Sequence, residues 1–164
     1  KHWRNDKCVR ELKGHMNHVM SLIRLKNGKI ASGSWDNTIK IWDLEKGKCL
    51  HTLEGHTRGV LALAELPDGR IASASADKTI KLWRDQTCEA TLTGHENWVK
   101  CLVVLPDGTL VSGSYDKTIK LWNTKDGVCV RTLTHHTRAV MALDVLKDGT
   151  LLSASNDGTV KALR

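Results

Sequence analysis

Apolar and small residues along this chain come in short runs separated by turn-forming residues, and no run repeats at helical spacing. The stretch from Gly59 to Leu92 shows the unit most clearly. Gly59 to Leu66 reads as a strand, Pro67-Asp68-Gly69 as a hairpin turn that favours positive φ, and Arg70 to Ala74 as the returning strand. A tight turn at Ala76-Asp77 follows, then strands over Thr79 to Trp83 and Cys88 to Leu92. Equivalent hairpin turns stand at Asn27-Gly28, Asp107-Gly108 and Asp148-Gly149. The pattern predicts an all-β fold. Because both faces of several strands are apolar or small, as in Val103-Val104-Leu105, each sheet expects a neighbouring sheet on either side.

The unit recurs. Gly-His occurs at Gly14-His15, Gly55-His56 and Gly94-His95, with His135-His136 as an altered fourth copy, and the second residues of these pairs are 41, 39 and 41 apart. A second landmark, Asp-x-Thr-Ile-Lys-x-Trp, runs from Asp36 to Trp42, Asp77 to Trp83 and Asp116 to Trp122. In the fourth copy, Asp157 to Leu163, the tryptophan is lost. Trp3, two residues after Lys1, fits the same place one repeat earlier. Residues 1–80 laid on 81–160 match without a gap at 38 of 80 positions, which points to a two-repeat unit copied once.

Four-stranded units of this kind, covered on both faces, describe propeller blades. With Gly-His, the Asp turn and the terminal tryptophan in step, the chain resembles the WD40-repeat family along its whole length. Only Trp42-Asp43 is a literal Trp-Asp; Trp83-Arg84 and Trp122-Asn123 are variants. The resemblance implies antiparallel four-stranded blades over 15–53, 56–92 and 95–133, and a fourth over 136–164 that lacks its outer strand. Residues 1–14 are then a stub, and Lys7-Cys8-Val9-Arg10-Glu11-Leu12 is an outer strand with no blade of its own. In closed rings of the family such a strand completes the last blade, and rings usually have seven or eight blades. About four repeats are thus either half of an eight-bladed ring, closed by a second copy with exchanged outer strands, or a partial propeller cut from a longer one. Lys1 to Arg4 repeats the role of Lys161 to Arg164, so a two-chain ring carries one stub too many. That, with the lack of an initiator Met, favours the piece.

Each repeat holds a histidine, a serine and an aspartate: His15, Ser32, Asp36; His56, Ser73, Asp77; His95, Ser112, Asp116; His136, Ser153, Asp157. The residue types are those of a nucleophilic triad, but one chain has little use for four such sets at fixed intervals. The family resemblance assigns them, with Trp42, Trp83 and Trp122, to buried hydrogen-bonded tetrads that tie a loop to the blade interior. Leu163 cannot donate, so the fourth set is shortened and its blade is expected to be the weakest. Cys8, Cys49, Cys88 and Cys129 occupy one equivalent outer-strand position, a blade apart, which argues against pairing. With Cys101 they read as free, mostly buried thiols of a reducing compartment, cytoplasmic or nuclear. There is no Cys-x-x-Cys, and His15-x-x-His18 lacks further ligands, so neither metal nor cofactor is expected.

Composition changes this picture little. Among 164 residues there is no Phe and one Tyr against six Trp, which the repeat explains in part. Lys+Arg 25 against Asp+Glu 18 gives a net charge of +7, much of it from the repeated Lys40, Lys81, Lys120 and Lys161. A basic chain suggests nucleic acid, yet no recognition helix or stacking series can be read, and nucleic acid is set aside. No apolar run approaches the roughly 18 residues of a membrane span.

Function is expected where the repeats differ. By the resemblance, partners bind the narrower (top) face, which carries the loop before each first strand and the Asp turn. Just before the Asp stand Trp35, Ala76, Tyr115 and Asn156; before the first-strand Val stand His18, Gly59, Trp98 and Ala139; two residues on stand Met20, Leu61, Lys100 and Met141. Trp35, Trp98 and Tyr115 are residue types that interfaces favour, and Arg58 and Arg138 supply a polar rim. The chain therefore reads as a non-catalytic scaffold for a protein or peptide partner. The alternative is a regulatory or substrate-recruiting segment of a larger enzyme or ligase. Ser34-Trp35-Asp36, Ala76-Asp77-Lys78-Thr79 and the short linker from Trp3 to Cys8 are also similar to the ubiquitin-binding propeller of phospholipase-activating proteins, which makes ubiquitin a candidate partner.

Overall fold

The computed structural model describes Cys8 and residues 10–164. Residues 1–7 and Val9 lie outside the described residues, and with them the stub position of Trp3 and part of the expected outer strand from Lys7 to Leu12. The all-β expectation is borne out: among the described residues there are strands and turns and no helix. Three sheets have four strands, β1 (Val19–Arg24) to β4 (Lys48–Leu53), β5 (Val60–Glu65) to β8 (Thr87–Leu92), and β9 (Val99–Val104) to β12 (Val128–Leu133). The last has three, β13 (Val140–Val145), β14 (Leu151–Ser155) and β15 (Val160–Leu163). All are antiparallel meanders in sequence order. First strands face one another in turn, β1 with β5, β5 with β9 and β9 with β13, so the sheets stand side by side around a common inner edge.

Turn chemistry sets these hairpins. The Gly of each Asn-Gly or Asp-Gly turn has positive φ, 82° at Gly28 and 84° at Gly69, where a side chain is disfavoured. In the Asp turn the residue after the Asp is left-handed as well: Asn37, Lys78 and Lys117 at 71° to 74°, and Gly158 at 82°. The core lies between sheets. Leu25, Ile39, Ile41 and Leu53 pack on Val60, Leu63, Ile71 and Trp83. Leu66, Ala74, Ile80, Leu82 and Leu92 pack on Val99, Leu110 and Trp122. Val111, Ile119 and Leu133 pack on Val140 and Leu151. Burial of this sort stabilises by roughly 25 cal/mol per Å² of apolar surface. The two end sheets each keep one face without such a partner, and Val19, Leu22, Leu146 and Val160 are exposed there.

Candidate functional site

The four His/Ser/Asp sets are brought together within hydrogen-bond reach. His56 Nδ1 lies 2.7 Å from Asp77 Oδ2, its Nε2 lies 2.8 Å from Ser73 Oγ, and Trp83 Nε1 donates to the same Oγ at 2.7 Å. The first and third sets repeat this, with Trp42 to Ser32 at 2.7 Å and Trp122 to Ser112 at 2.8 Å. In the fourth, His136 bridges Asp157 and Ser153 at 2.8 Å each, and Leu163 offers no indole.

The aspartates are the electrostatic anchors. For Asp77, burial pushes the carboxyl upward, but hydrogen bonds from His56 and Thr79 outweigh it and hold the group well below the usual carboxylate range. Asp36 and Asp116 follow the same balance, and at Asp157 the bond from Thr159 leads. An ionised Asp only accepts, so Nδ1–H donates to it, while Nε2 stands in hydrogen-bond contact with the serine hydroxyl. The serine is then occupied on both sides and buried. Ser32, Ser73 and Ser112 thus offer no accessible nucleophile; the sets fasten loops.

The top-face positions are placed by a second repeated device. The backbone N–H before each Asp donates to the carbonyl before the first-strand Val: Trp35 to His18, Ala76 to Gly59 and Asn156 to Ala139 at 2.9 Å, Tyr115 to Trp98 at 3.0 Å. In each blade the two variable positions are thereby held side by side. Across blades, Trp35 meets Trp98 edge to face, with ring centroids 5.5 Å apart, and Trp98 meets Tyr115 at 5.4 Å. The three rings form one half-buried cluster that spans the first and third sheets. Passage over the second sheet depends on its two smallest top-face residues, Gly59 and Ala76, both buried. A Cβ at Gly59 would come within 2.4 Å of the Trp35 ring. Their role was missed at the sequence level, although Gly and Ala together occur at these positions in the second repeat alone.

His18, Arg58, Arg138 and Asn156 are exposed around the cluster, Met20 is at the exposed margin, and Lys100 and Met141 are half-buried. Leu61 departs from expectation. It is only 5% exposed, because it is packed among the sheets and does not look out from the face. The thiols also differ from the expected burial: Cys8, Cys49 and Cys129 are exposed and Cys88 is half-buried, since outer strands have one open side. All five are free, and burial pushes the Cys101 thiol up to about 12. Among the described residues no His/Cys/Asp/Glu group is placed to hold a metal.

The family model described as "WD domain, G-beta repeat" matches residues 6–43, 47–84, 86–123 and 127–162. The chain belongs to the WD40 family. As a WD40 array it is 29% identical to the WD40 β-propeller domain of Doa1, with a TM-score of 0.86 over 92% of this chain and 52% of that one. It is 48% identical over 42 residues to the small ribosomal subunit protein RACK1 of Dictyostelium discoideum, covering 25% of this chain and 13% of the relative. It is likewise 48% identical over 46 residues to a probable E3 ubiquitin ligase complex SCF subunit, sconB, of Talaromyces marneffei, covering 27% of this chain and 7% of the relative. The WD40 array thus spans about half of the Doa1 propeller and a small part of the curated relatives.

Proposed function

We propose that this WD40 array is a non-catalytic, cofactor-free interaction scaffold that holds a protein or peptide partner on its top face, with the Trp35, Trp98 and Tyr115 cluster at the centre. One observation carries the reading: three aromatic rings from two blades meet at a surface, edge to face and tilted, and stay half open to water, with a cleared path over Gly59 and Ala76. Rigid aromatic anchors bordered by polar groups are where binding energy concentrates, with roughly 2 kcal/mol or more lost per anchor cut to alanine. Exposed Arg58, Arg138 and His18 form the border. Alanine at Trp35, Trp98 and Tyr115 together is expected to abolish partner capture from lysate while the fold survives. Unchanged capture overturns the proposal.

A second reading places the same face at the substrate-recruiting or regulatory end of a larger assembly, with ubiquitin as the protein held. It is supported by the stretch similar to the ubiquitin ligase subunit sconB and by the likeness to the Doa1 propeller. Labelled ubiquitin titrated with the chain to millimolar concentration should shift, and the triple variant should not shift it. No shift with the unaltered chain removes ubiquitin and leaves the scaffold reading standing.

A further inference from the structure

The second and third sheets have a neighbour on either side, and their top loops carry positive charge that nothing in the chain answers. Arg58 precedes β5, Lys78 stands in the Asp turn of the second sheet and Lys117 in that of the third, all three exposed. Lys100, on β9 two residues after Trp98, is half-buried. Among the described residues none of these four side chains makes an ion pair. Cations at the opposite end of the strands are treated differently. Arg70 Nη2 lies 2.8 Å from Asp68, Arg84 Nε 2.8 Å from Glu89 and Lys46 Nζ 3.7 Å from Asp43.

The top-face acids are spent. Asp77 and Asp116 are turned inward, with side chains 7% exposed. Asp77 accepts from His56, from the Thr57 backbone and from Thr79, and Asp116 accepts from the matching groups. Glu54 directly follows β4, the outermost strand of the first sheet, and so stands at the outer rim. That leaves Glu96, in the loop before Trp98, as the exposed carboxylate beside the aromatic cluster, against Arg58, Lys78, Lys117 and Lys100. A half-buried ammonium without a carboxylate is an unfavourable arrangement. A bound acid relieves it.

Two anionic polymers meet such a surface, a nucleic acid or an acidic stretch of protein, and the rings decide between them. Trp98 meets Trp35 at 73° and Tyr115 at 50°. Their faces are turned on one another and do not form the open ladder on which successive bases stack. The cations come singly from separate loops, which suits carboxylates spaced along a chain. We infer that the segment held on the top face is acidic: a stretch of a partner protein with Asp and Glu around one large apolar residue. The apolar residue sits on Trp35, Trp98 and Tyr115, and the carboxylates lie over Arg58, Lys78, Lys100 and Lys117. The inference rests on the scaffold reading and adds the chemistry of the partner, through charge complementarity that sets on-rate and selects among partners.

A random peptide library displayed on phage and panned against the full chain at low salt is the probe. Selected peptides should be rich in Asp and Glu and carry a large apolar residue. A synthetic copy of one should bind about tenfold more weakly to the Arg58→Glu, Lys117→Glu double variant, less so to the neutral Arg58→Gln, Lys117→Gln pair, and more weakly to the unaltered chain as salt is raised. Both side chains are exposed and unpaired, so thermal midpoints should hold. Selected peptides without acidic bias, or indifferent to both double variants, overturn the inference. If those same peptides are lost with alanine at Trp35, Trp98 and Tyr115, the scaffold reading stands without it. A library that yields no peptide also overturns it, and capture from lysate then decides the scaffold reading alone. Displacement of the bound peptide by a thymidine oligonucleotide at lower concentration than by a glutamate oligopeptide gives the face to nucleic acid and refutes the acidic segment.

Discussion

Ser32, Ser73 and Ser112 each stand between a tryptophan N–H and a histidine ring, so one hydroxyl settles two buried polar groups at once. Removing it leaves both without partners, and an unsatisfied buried group costs about 1–3 kcal/mol. Ser73→Ala should therefore cost more, by roughly that amount, than Ser153→Ala, which strands His136 alone because Leu163 replaces the indole. Urea midpoints of the two variants measure the difference. The aspartates make a second residue-scale prediction. Their carboxyls lie below the usual range in the folded chain, through hydrogen bonds from Thr and His side chains that outweigh burial. A depressed folded value gives stability that is complete above the unfolded value of about 3.9 and is lost as pH falls below it. Thermal midpoints should begin to fall under about pH 4, and Asp77→Asn should flatten that acid limb in a pH series.

At the scale of elements, strand order and turn positions were legible because each turn depends on its own few residues: Asp68-Gly69 and Asp148-Gly149 need nothing distant. The tetrad residues stood out because they recur in step with the blades, and it was the family resemblance that assigned their hydrogen bonds. What one repeat cannot reveal is how top loops from different blades meet. The contact of Trp35 with Trp98 crosses the second sheet, and its enabling residues, Gly59 and Ala76, carry almost no side chain of their own. Leu61 shares a sequence position with Met20 and Met141 yet is buried, because neighbours on both sides enclose the second blade. Gly59→Ala tests this arrangement. The added Cβ meets the Trp35 ring at 2.4 Å, so the ring must move and the Trp35–Trp98 pair should separate. Near-ultraviolet circular dichroism should lose the coupled tryptophan signal, with backbone spectra unchanged.

For the whole molecule, the decisive quantity is how much apolar surface its end sheets leave in water. Val19 and Leu22 on the first sheet, and Leu146 and Val160 on the fourth, are exposed at opposite ends of the array, and apolar exposure of this kind marks a contact surface. If the contact is with a second copy, folding and association are one equilibrium, and the urea midpoint should rise with chain concentration. A midpoint independent of concentration would mean the four sheets stand without it.

The carbonyl and amide that bridge the variable positions belong to the main chain, and this has a consequence for descent. A codon change at His18, Trp98, Tyr115 or Asn156 alters what the surface presents without breaking the bond that holds the loop. New specificities can therefore be tried one mutation at a time, with fastening and display under separate selection. A blade lineage so arranged can drift between partners while every intermediate still folds.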